Sequence, residues 1–225
     1  MDKCKLGPRL KAVASFIPAG SRVADIGTDH GYLPIWLRSE GVSPTVIASD
    51  IRSGPLAIAK ANAARYRIDG ITFRLCPGLR DIRPQEADVV VIAGMSGETI
   101  CTILECAEWD WVDKRLVLEA NTKQPELLTW LYTHGLHVEG ECFPEERGRI
   151  YRVLSVVSGI ENIPRPAFLW GGFCDGPYAK RQSKLLFDAL SGMNQAKAET
   201  ELLRAQEYQN ILEDMYDAYH WRDSQ

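Results

Sequence analysis

The sequence predicts an α/β fold in which helices cover a mostly parallel sheet, followed by a C-terminal α-helical hairpin. Between about residues 20 and 159, short aliphatic runs alternate with helical stretches, which is typical of βα units. Residues 160–177 are rich in proline and glycine, and no proline occurs from residue 178 onward. We therefore expect a domain at 1–159, a linker at 160–177 and a helical, coiled-coil-like tail at 178–225.

Seven strands are expected, at residues 22–26, 45–49, 71–75, 87–93, 115–119, 136–142 and 150–157. The fourth contains the run VVVI at 89–92, as expected for a strand covered by helices on both faces. The last two strands are joined by residues 143–149, which are too few for a crossover helix, so these strands should pair antiparallel. The prediction is a seven-stranded, mostly parallel sheet whose last strand is antiparallel. This is the layout of a Rossmann-like class I methyltransferase domain.

The tail has two apolar stripes at the spacing of an amphipathic helix. We expect two antiparallel helices that turn near Ser191-Gly192 or near residues 204–206 and bury one stripe against the other. The stripes consist of Leu185, Ala189, Met193 and Ala196, and of Tyr208, Ile211, Leu212, Met215, Tyr216 and Tyr219.

The composition is that of an ordinary globular protein, with 45% hydrophobic and 25% charged residues in 225. No apolar run approaches the ~18 residues of a membrane helix, and the amino terminus has no apolar stretch resembling a signal peptide. We therefore expect a cytoplasmic protein. The six cysteines form no C-x-x-C pair and no histidine lies at metal-ligand spacing, so we predict reduced thiols and no metal.

The basic residues are concentrated in three clusters, although the net charge is −4. RNA binding depends on the distribution of charge, so a local basic patch is compatible with this balance. Each cluster could equally be a solvated face that keeps the protein soluble. The clusters are Lys3, Lys5, Arg9 and Lys11; Arg147, Arg149 and Arg152; and Lys180, Arg181 and Lys184.

The first two expected strands end in residues suited to an adenosine-type ligand. The sequence DIGTDHG at 25–31 turns into a helix, and Gly27 lets the backbone approach a ligand, although such glycines also occur in turns that bind nothing. Asp50 lies 23 residues after Gly27, where a carboxylate can accept hydrogen bonds from both ribose hydroxyls, or can cap the next helix. No Lys-Ser/Thr pair follows, which favours S-adenosylmethionine over ATP.

The fourth and fifth strands should bring further residues to the same edge of the sheet. The small residues of AGMSGE, at 93–98, leave space for a planar substrate. Asn121 can donate to and accept from a base, or it can bond its own backbone in a turn. Of the four histidines, only His30 falls in this predicted site, and no Ser-His-Asp set is present.

Three stretches resemble the bacterial tRNA (adenine(22)-N1)-methyltransferases: Arg9-Leu10 with VADIGTDHGYLP at 23–34, Gly54-Pro55, and VIAGMSG at 91–97. The resemblance runs from Arg9 to Leu154 and more weakly through the tail, which in that family helps to hold tRNA. It implies catalytic roles for Asp29 and Asn121, which would face the adenine. It implies S-adenosyl-L-methionine contacts for Asp25, Gly27, Thr28, His30, Gly31, Asp50, Ile51, Gly78, Leu79, Gly94 and Met95, and substrate contacts for Arg9, Tyr32, Pro34, Lys180, Arg181 and Lys184.

The chain departs from the family pattern at three places. Ser96 replaces a glycine of A-G-M-G-G, Pro77 replaces the aspartate of G-D-G-L, and Glu119-Ala120 replaces the central residues of L-Q-P-N. Pro77 removes a carboxylate that would reach the cofactor adenine, and Glu119-Ala120 changes the target-base pocket. The function implied is methyl transfer to N1 of an adenine in tRNA, by a monomer or by a homodimer formed through the tail. The alternatives are a methyltransferase acting on another RNA, a small molecule or a protein, and a noncatalytic RNA-binding relative.

Overall fold

The computed structural model describes residues 4–172, 176–193 and 199–220, which divide into two units at the Glu161/Asn162 boundary. The first unit alternates strands and helices as the sequence predicts. Its helices are α1 (Pro8–Ser15), α2 (Tyr32–Ser39), α3 (Ser53–Tyr66), α4 (Gly97–Glu105) and α5 (Gln124–Thr133), with a short 3-10 helix at Pro84–Glu86. Its strands are β1 (Val23–Ile26), β2 (Val46–Asp50), β3 (Ile71–Leu75), β4 (Val89–Ser96), β5 (Arg115–Thr122), β6 (Leu136–Cys142), β7 (Glu145–Glu146), β8 (Arg149–Ile150) and β9 (Val153–Ser158).

The main sheet has seven strands in the order β3-β2-β1-β4-β5-β9-β6. Neighbouring strands from β3 to β5 are parallel, whereas β9 is antiparallel to both β5 and β6, so the predicted sheet is confirmed. The connection before β9 differs from the prediction, because β7 and β8 form a separate two-stranded hairpin. The last strand therefore begins at Val153 instead of residue 150.

The core of the first unit lies where α1 and α2 pack on the centre of the sheet. Val13 and Ala14 of α1 are buried there with Val23 of β1 and Val91 of β4. Helix α1 is not among the elements expected from the sequence. This helix has only eight residues, and a helix this short depends on tertiary packing more than on its own propensity.

The second unit contains α6 (Pro166–Gly171), α7 (Pro177–Met193) and α8 (Glu199–His220). The predicted linker at 160–177 is partly helical, because it contains α6. Ala167 of this helix is fully buried against the other two helices. The predicted stripes are also partly wrong, since Leu185 and Tyr216 are exposed and Leu186 is buried in place of Leu185.

Residues 194–198, which include Ala196, lie outside the described residues, as does the side chain of Tyr219. Both suggested turn positions, Ser191-Gly192 and residues 204–206, fall inside helices instead. No helix in the described ranges is long and apolar enough to cross a membrane.

Candidate active site

A cavity of about 1110 Å³ opens where the carboxyl ends of β1, β2, β4 and β5 meet. Ligands of open α/β sheets bind at this edge, and the volume slightly exceeds the range of about 300–1,000 Å³ that is usual for a small-molecule site. The predicted residues that line it are Arg9, Asp25, Gly27, Thr28, Asp29, His30, Tyr32, Asp50, Ile51, Gly78, Leu79, Gly94, Met95 and Asn121.

The turn after β1 places a buried carboxyl group in the cavity wall. Asp25 is 7% exposed, and burial raises the pKa of its carboxyl to about 6, although the nearby Thr28 and Arg9 side chains lower it. Gly27 follows with a positive φ of 74°, and a Cβ there would overlap the Met95 Cε. Thr28 Oγ1 is buried near this carboxyl but makes no hydrogen bond of normal geometry to any described residue. A ligand hydrogen bond would satisfy this hydroxyl.

Asp29 and His30 lie at the exposed rim of the same turn. The Asp29 Oδ2 is 3.5 Å from the His30 Nε2, and both side chains are about half exposed. Asp29 has a φ of 51°, in the left-handed region that few residues other than glycine, asparagine and aspartate adopt easily. Aspartate is thus suited to this turn, and its half-exposed side chain lines the cavity.

Asp50, at the end of β2, is 5% exposed. Its Oδ1 accepts a hydrogen bond of 2.8 Å from the Arg52 backbone N–H, just before α3. One carboxylate oxygen therefore fixes the chain ahead of the helix without capping it, and the residue also lines the cavity, where its contact with a ribose stays a prediction.

The end of β4 is shaped by a bulge around Gly94 and Met95 in its pairing with β5. Gly94 has a φ of 85°, and a bulge of this kind re-aims neighbouring side chains. Ser96 is the N-cap of α4, and its side chain accepts a hydrogen bond from the Thr99 backbone N–H. The serine that replaces the family's glycine at position 96 thus stabilises the start of α4.

Asn121 lies in β5 and not in a turn, so its side chain faces the cavity without the predicted backbone bond. Beside it, Arg9 reaches from α1 to Glu119, with 2.7 Å between Nη1 and Oε2. The Glu119 side chain is fully buried, and burial raises the pKa of its carboxyl while Arg9 opposes the rise. Glu119, which differs from the family pattern, therefore gives Arg9 a buried ion-pair partner.

Two predicted cofactor and substrate residues do not line the cavity. Gly31 is buried where α2 approaches α3, since a Cβ there would lie 2.9 Å from the Ala59 Cβ. Pro34 is buried in the first turn of α2. Both residues serve helix packing in this structure, and their contact with a ligand stays a prediction.

The basic residues of the tail belong to the second unit. Lys180, Arg181 and Lys184 are exposed on α7. They stay a predicted RNA-binding face. Of the other clusters, Lys3 is outside the described residues.

One face of α4 and an aromatic ring line the cavity although neither is predicted from the sequence. Thr99, Thr102, Ile103 and Cys106 line the cavity at helical spacing, and that i, i+3, i+4, i+7 pattern directly after β4 could have identified them. Tyr151 also lines the cavity, and it closely follows Arg147 and Arg149, which line the cavity too. Among the described residues, no group of three or more potential metal ligands lies close enough to hold a metal ion.

Residues 6–154 match a family model described as a methyltransferase domain. A tRNA (adenine(22)-N(1))-methyltransferase of Bacillus subtilis is 34% identical over 190 residues, which are 83% of this chain and 80% of that protein. The chain belongs to the tRNA (adenine(22)-N(1))-methyltransferase family. The family resemblance and the fold expected from the sequence are thereby confirmed.

Solved structures of the family match nearly the whole chain. The crystal structure of the Bacillus subtilis m1A22 tRNA methyltransferase TrmK has a TM-score of 0.86 and 28% identity, over 96% of this chain and 99% of that chain. A Streptococcus pneumoniae protein, Sp1610, solved in complex with S-adenosyl-L-methionine, has a TM-score of 0.75 and 27% identity, over 92% and 100% of the two chains.

Proposed function

We propose that this protein transfers the methyl group of S-adenosyl-L-methionine to N1 of adenine 22 in tRNA. The main support is the arrangement of Asp50 and Asn121, which line one cavity from strands on opposite sides of β1 and β4. A carboxylate that can accept hydrogen bonds from the cofactor and an amide suited to a base thereby lie at the same edge of the sheet. The chain that carries them belongs to this family.

The residues present fit the cofactor. The buried Asp50 carboxylate would accept hydrogen bonds from the ribose hydroxyls, and the unsatisfied Thr28 hydroxyl offers another polar contact. Gly27 and Gly94 keep the backbone open to a ligand, and Ile51 offers an exposed apolar side chain beside Asp50. When bound, S-adenosylmethionine supplies an electrophilic methyl group on a sulfonium.

Little acid-base chemistry is required of the protein. Adenine N1 has an in-plane lone pair and carries no proton, so it needs no general base. Asn121 would hold the base edge, and the Asp29 carboxylate would stabilise the positive charge that passes to the base. Because N1 lies on the Watson–Crick edge, the adenine must be unpaired or flipped out of its stack.

The second unit would add affinity for the tRNA body through Lys180, Arg181 and Lys184 on α7. We further propose that the protein acts as a cytoplasmic monomer. The free thiols of Cys4, Cys76, Cys101, Cys106 and Cys142 suit a reducing compartment.

The deciding experiment is methyl transfer to a tRNA transcript that has adenine 22 and to the same transcript with guanine 22. We expect a methyl group on the first transcript alone, located at N1 by mass spectrometry of the digested RNA. Asp29→Asn should bind the cofactor normally and lower kcat at least tenfold. Cofactor binding without transfer to either transcript would favour another substrate, and the absence of cofactor binding would favour a noncatalytic RNA-binding relative.

A further inference from the structure

Two arginines project from the β7–β8 hairpin at the wall of the cavity. The hairpin turns at Arg147 and Gly148, whose φ values of 53° and 74° are both positive, as in the tight type I′ turns that join short strands. Arg147 and Arg149 are exposed, and both line the cavity. The turn therefore fixes where these two charges emerge.

Arg149 is held in place by neutral groups. Its Nη2 donates a 2.9 Å hydrogen bond to the Asn121 backbone carbonyl, and its Cζ is 4.9 Å from the centroid of the Tyr151 ring. The Arg9 Cζ lies 5.5 Å from the same centroid. Tyr151 thus organises two guanidinium groups beside Asn121 through cation–π contacts.

The charges of these arginines are only partly matched among the described residues, since Arg149 lowers the pKa of the buried Glu119 carboxyl, which already pairs with Arg9. Arg9 is paired with Glu119, and the buried Arg152 is paired with Glu141. Arg147 and Arg149 form no ion pair with any described residue, and the neighbouring Glu146 lies against Gly7 instead. Cations that converge on a cavity wall without a carboxylate partner raise the local affinity for an anion.

The position of the arginines identifies the anion. Asp50 and Asn121 lie on β2 and β5, with β1 and β4 between them, so three strand spacings of ~4.8 Å place these ends roughly 14 Å apart. The arginines lie at the β5 end, where the target base would enter. We infer that Arg147 and Arg149 form a binding site for a backbone phosphate of the RNA next to the methylated adenine.

This inference rests on the proposed function and adds a second anchor to it. A base that leaves its stack must be held at its backbone as well as at its edge. A phosphate bound at Arg149 would be tied through the Asn121 carbonyl to the residue proposed to hold the base. Phosphate and base would then be positioned by the same stretch of β5.

The test uses the full chain with the double substitution Arg147→Gln/Arg149→Gln. The matched control is Arg65→Gln/Arg67→Gln, which removes two exposed arginines at the same spacing near the end of α3, away from the cavity. Affinity for the tRNA transcript is measured at several salt concentrations, and cofactor affinity by calorimetry. Circular dichroism verifies that each variant is folded.

We expect the hairpin variant to bind tRNA at least tenfold more weakly than the control variant, with unchanged cofactor affinity. Its log–log salt slope should be flatter by about 0.7–0.9 for each phosphate that an arginine no longer binds. Equal tRNA affinities of the two variants would overturn the inference, and so would weaker cofactor binding, which would place the arginines on the cofactor carboxylate. These outcomes concern binding alone, so they are distinct from a failure of wild-type methyl transfer.

Discussion

At the scale of single residues, Asp50 is the clearest test of the cofactor site. Asp50→Asn keeps an oxygen that can accept from the Arg52 N–H but removes the charge offered to the ribose hydroxyls. Hydrogen bonds to charged groups contribute ~1.5–3 kcal/mol, so we expect cofactor affinity to fall about ten- to hundredfold. Calorimetry measures this loss, with Asp69→Asn, an exposed residue outside the cavity, as the control. An unchanged dissociation constant in the folded variant would exclude Asp50 as a ribose ligand.

Asp25 should make the stability of the free protein depend on pH. Its pKa is about 6 in the folded chain against an ordinary 3.8. The folded state therefore loses stability relative to the unfolded state as the pH rises from about 4 to about 6. Asp25→Asn should therefore raise the free energy of unfolding by up to about 3 kcal/mol at pH 7.5. The difference should vanish below about pH 4, where both states are protonated.

Urea unfolding at pH 7.5 and at pH 3.5 checks the Asp25 prediction. Asp113→Asn is the control, because Asp113 is exposed and has a φ of 60°, which asparagine tolerates equally. A stability gain that is the same at both pH values would show that the Asp25 carboxylate is not the cause. Weaker cofactor binding alongside greater stability would indicate a residue kept for function.

Sequence reasoning identified most residues of the site because strand ends are local features. Asp25, Asp50 and Asn121 each follow an aliphatic run, and parallel strands bring their carboxyl ends to one edge. It could not find the Arg9–Glu119 pair, whose members are 110 positions apart. It also could not reveal that Gly31 packs against Ala59, because a glycine in a ligand turn and a glycine in helix packing have the same sequence pattern.

At the scale of elements, the junction of β4 and α4 depends on Gly97. This first residue of α4 is buried, and a Cβ built on it would overlap the backbone carbonyl oxygen of Lys123, just after β5. We expect Gly97→Ala to destabilise the fold by about 1–3 kcal/mol, since inserting a group into a packed site forces the backbone to move. The shift should also lower methyl transfer, because Asn121 is two residues from Lys123.

Gly54→Ala is the matched control for Gly97→Ala. Gly54 lies in the first turn of α3, has no atom within 4 Å of its built Cβ, and lacks a positive φ. Alanine there should stabilise the chain by about 0.4–1 kcal/mol, by restricting the unfolded state. Thermal unfolding compares the two variants, and equal effects at both positions would contradict the proposed overlap at Gly97.

The missed elements are all short. Helices α1 and α6 and strands β7 and β8 have at most eight residues each, and both helices begin at prolines. Segments of this length have little periodicity for a sequence to reveal. The stability of the two helices comes from residues such as Val13 and Ala167, which are buried by neighbours that only the folded chain provides.

At the scale of the whole molecule, the unit boundary defines a truncation after Glu161. Ending the chain at residue 177 would keep α6 without α7 and α8, which bury Ala167. The chain 1–161 should fold and bind cofactor like the full chain, but it should bind tRNA more weakly and with a flatter salt dependence. Gel-shift titrations at several salt concentrations measure both changes.

A triple substitution in the full chain separates the effect of charge from the removal of the helices. Lys180→Gln/Arg181→Gln/Lys184→Gln leaves α7 in place and removes its exposed basic residues. If α7 binds phosphates, this variant should lose most of the affinity that the truncation loses. Undiminished tRNA binding by the soluble truncated chain would show that the second unit is not an RNA-binding element.

The strand order also determines when the sheet can be completed during synthesis. Strand β6 pairs with β9 alone, and β9 comes later in the chain yet inserts between β6 and β5. Until Ser158 has left the ribosome, β5 is an open edge and β6 has no partner in the sheet, so the emerging chain exposes unpaired backbone. Tyr151 and Arg149 immediately precede β9. The wall of the cavity next to Asn121 is therefore the last part of the active site to form on the ribosome.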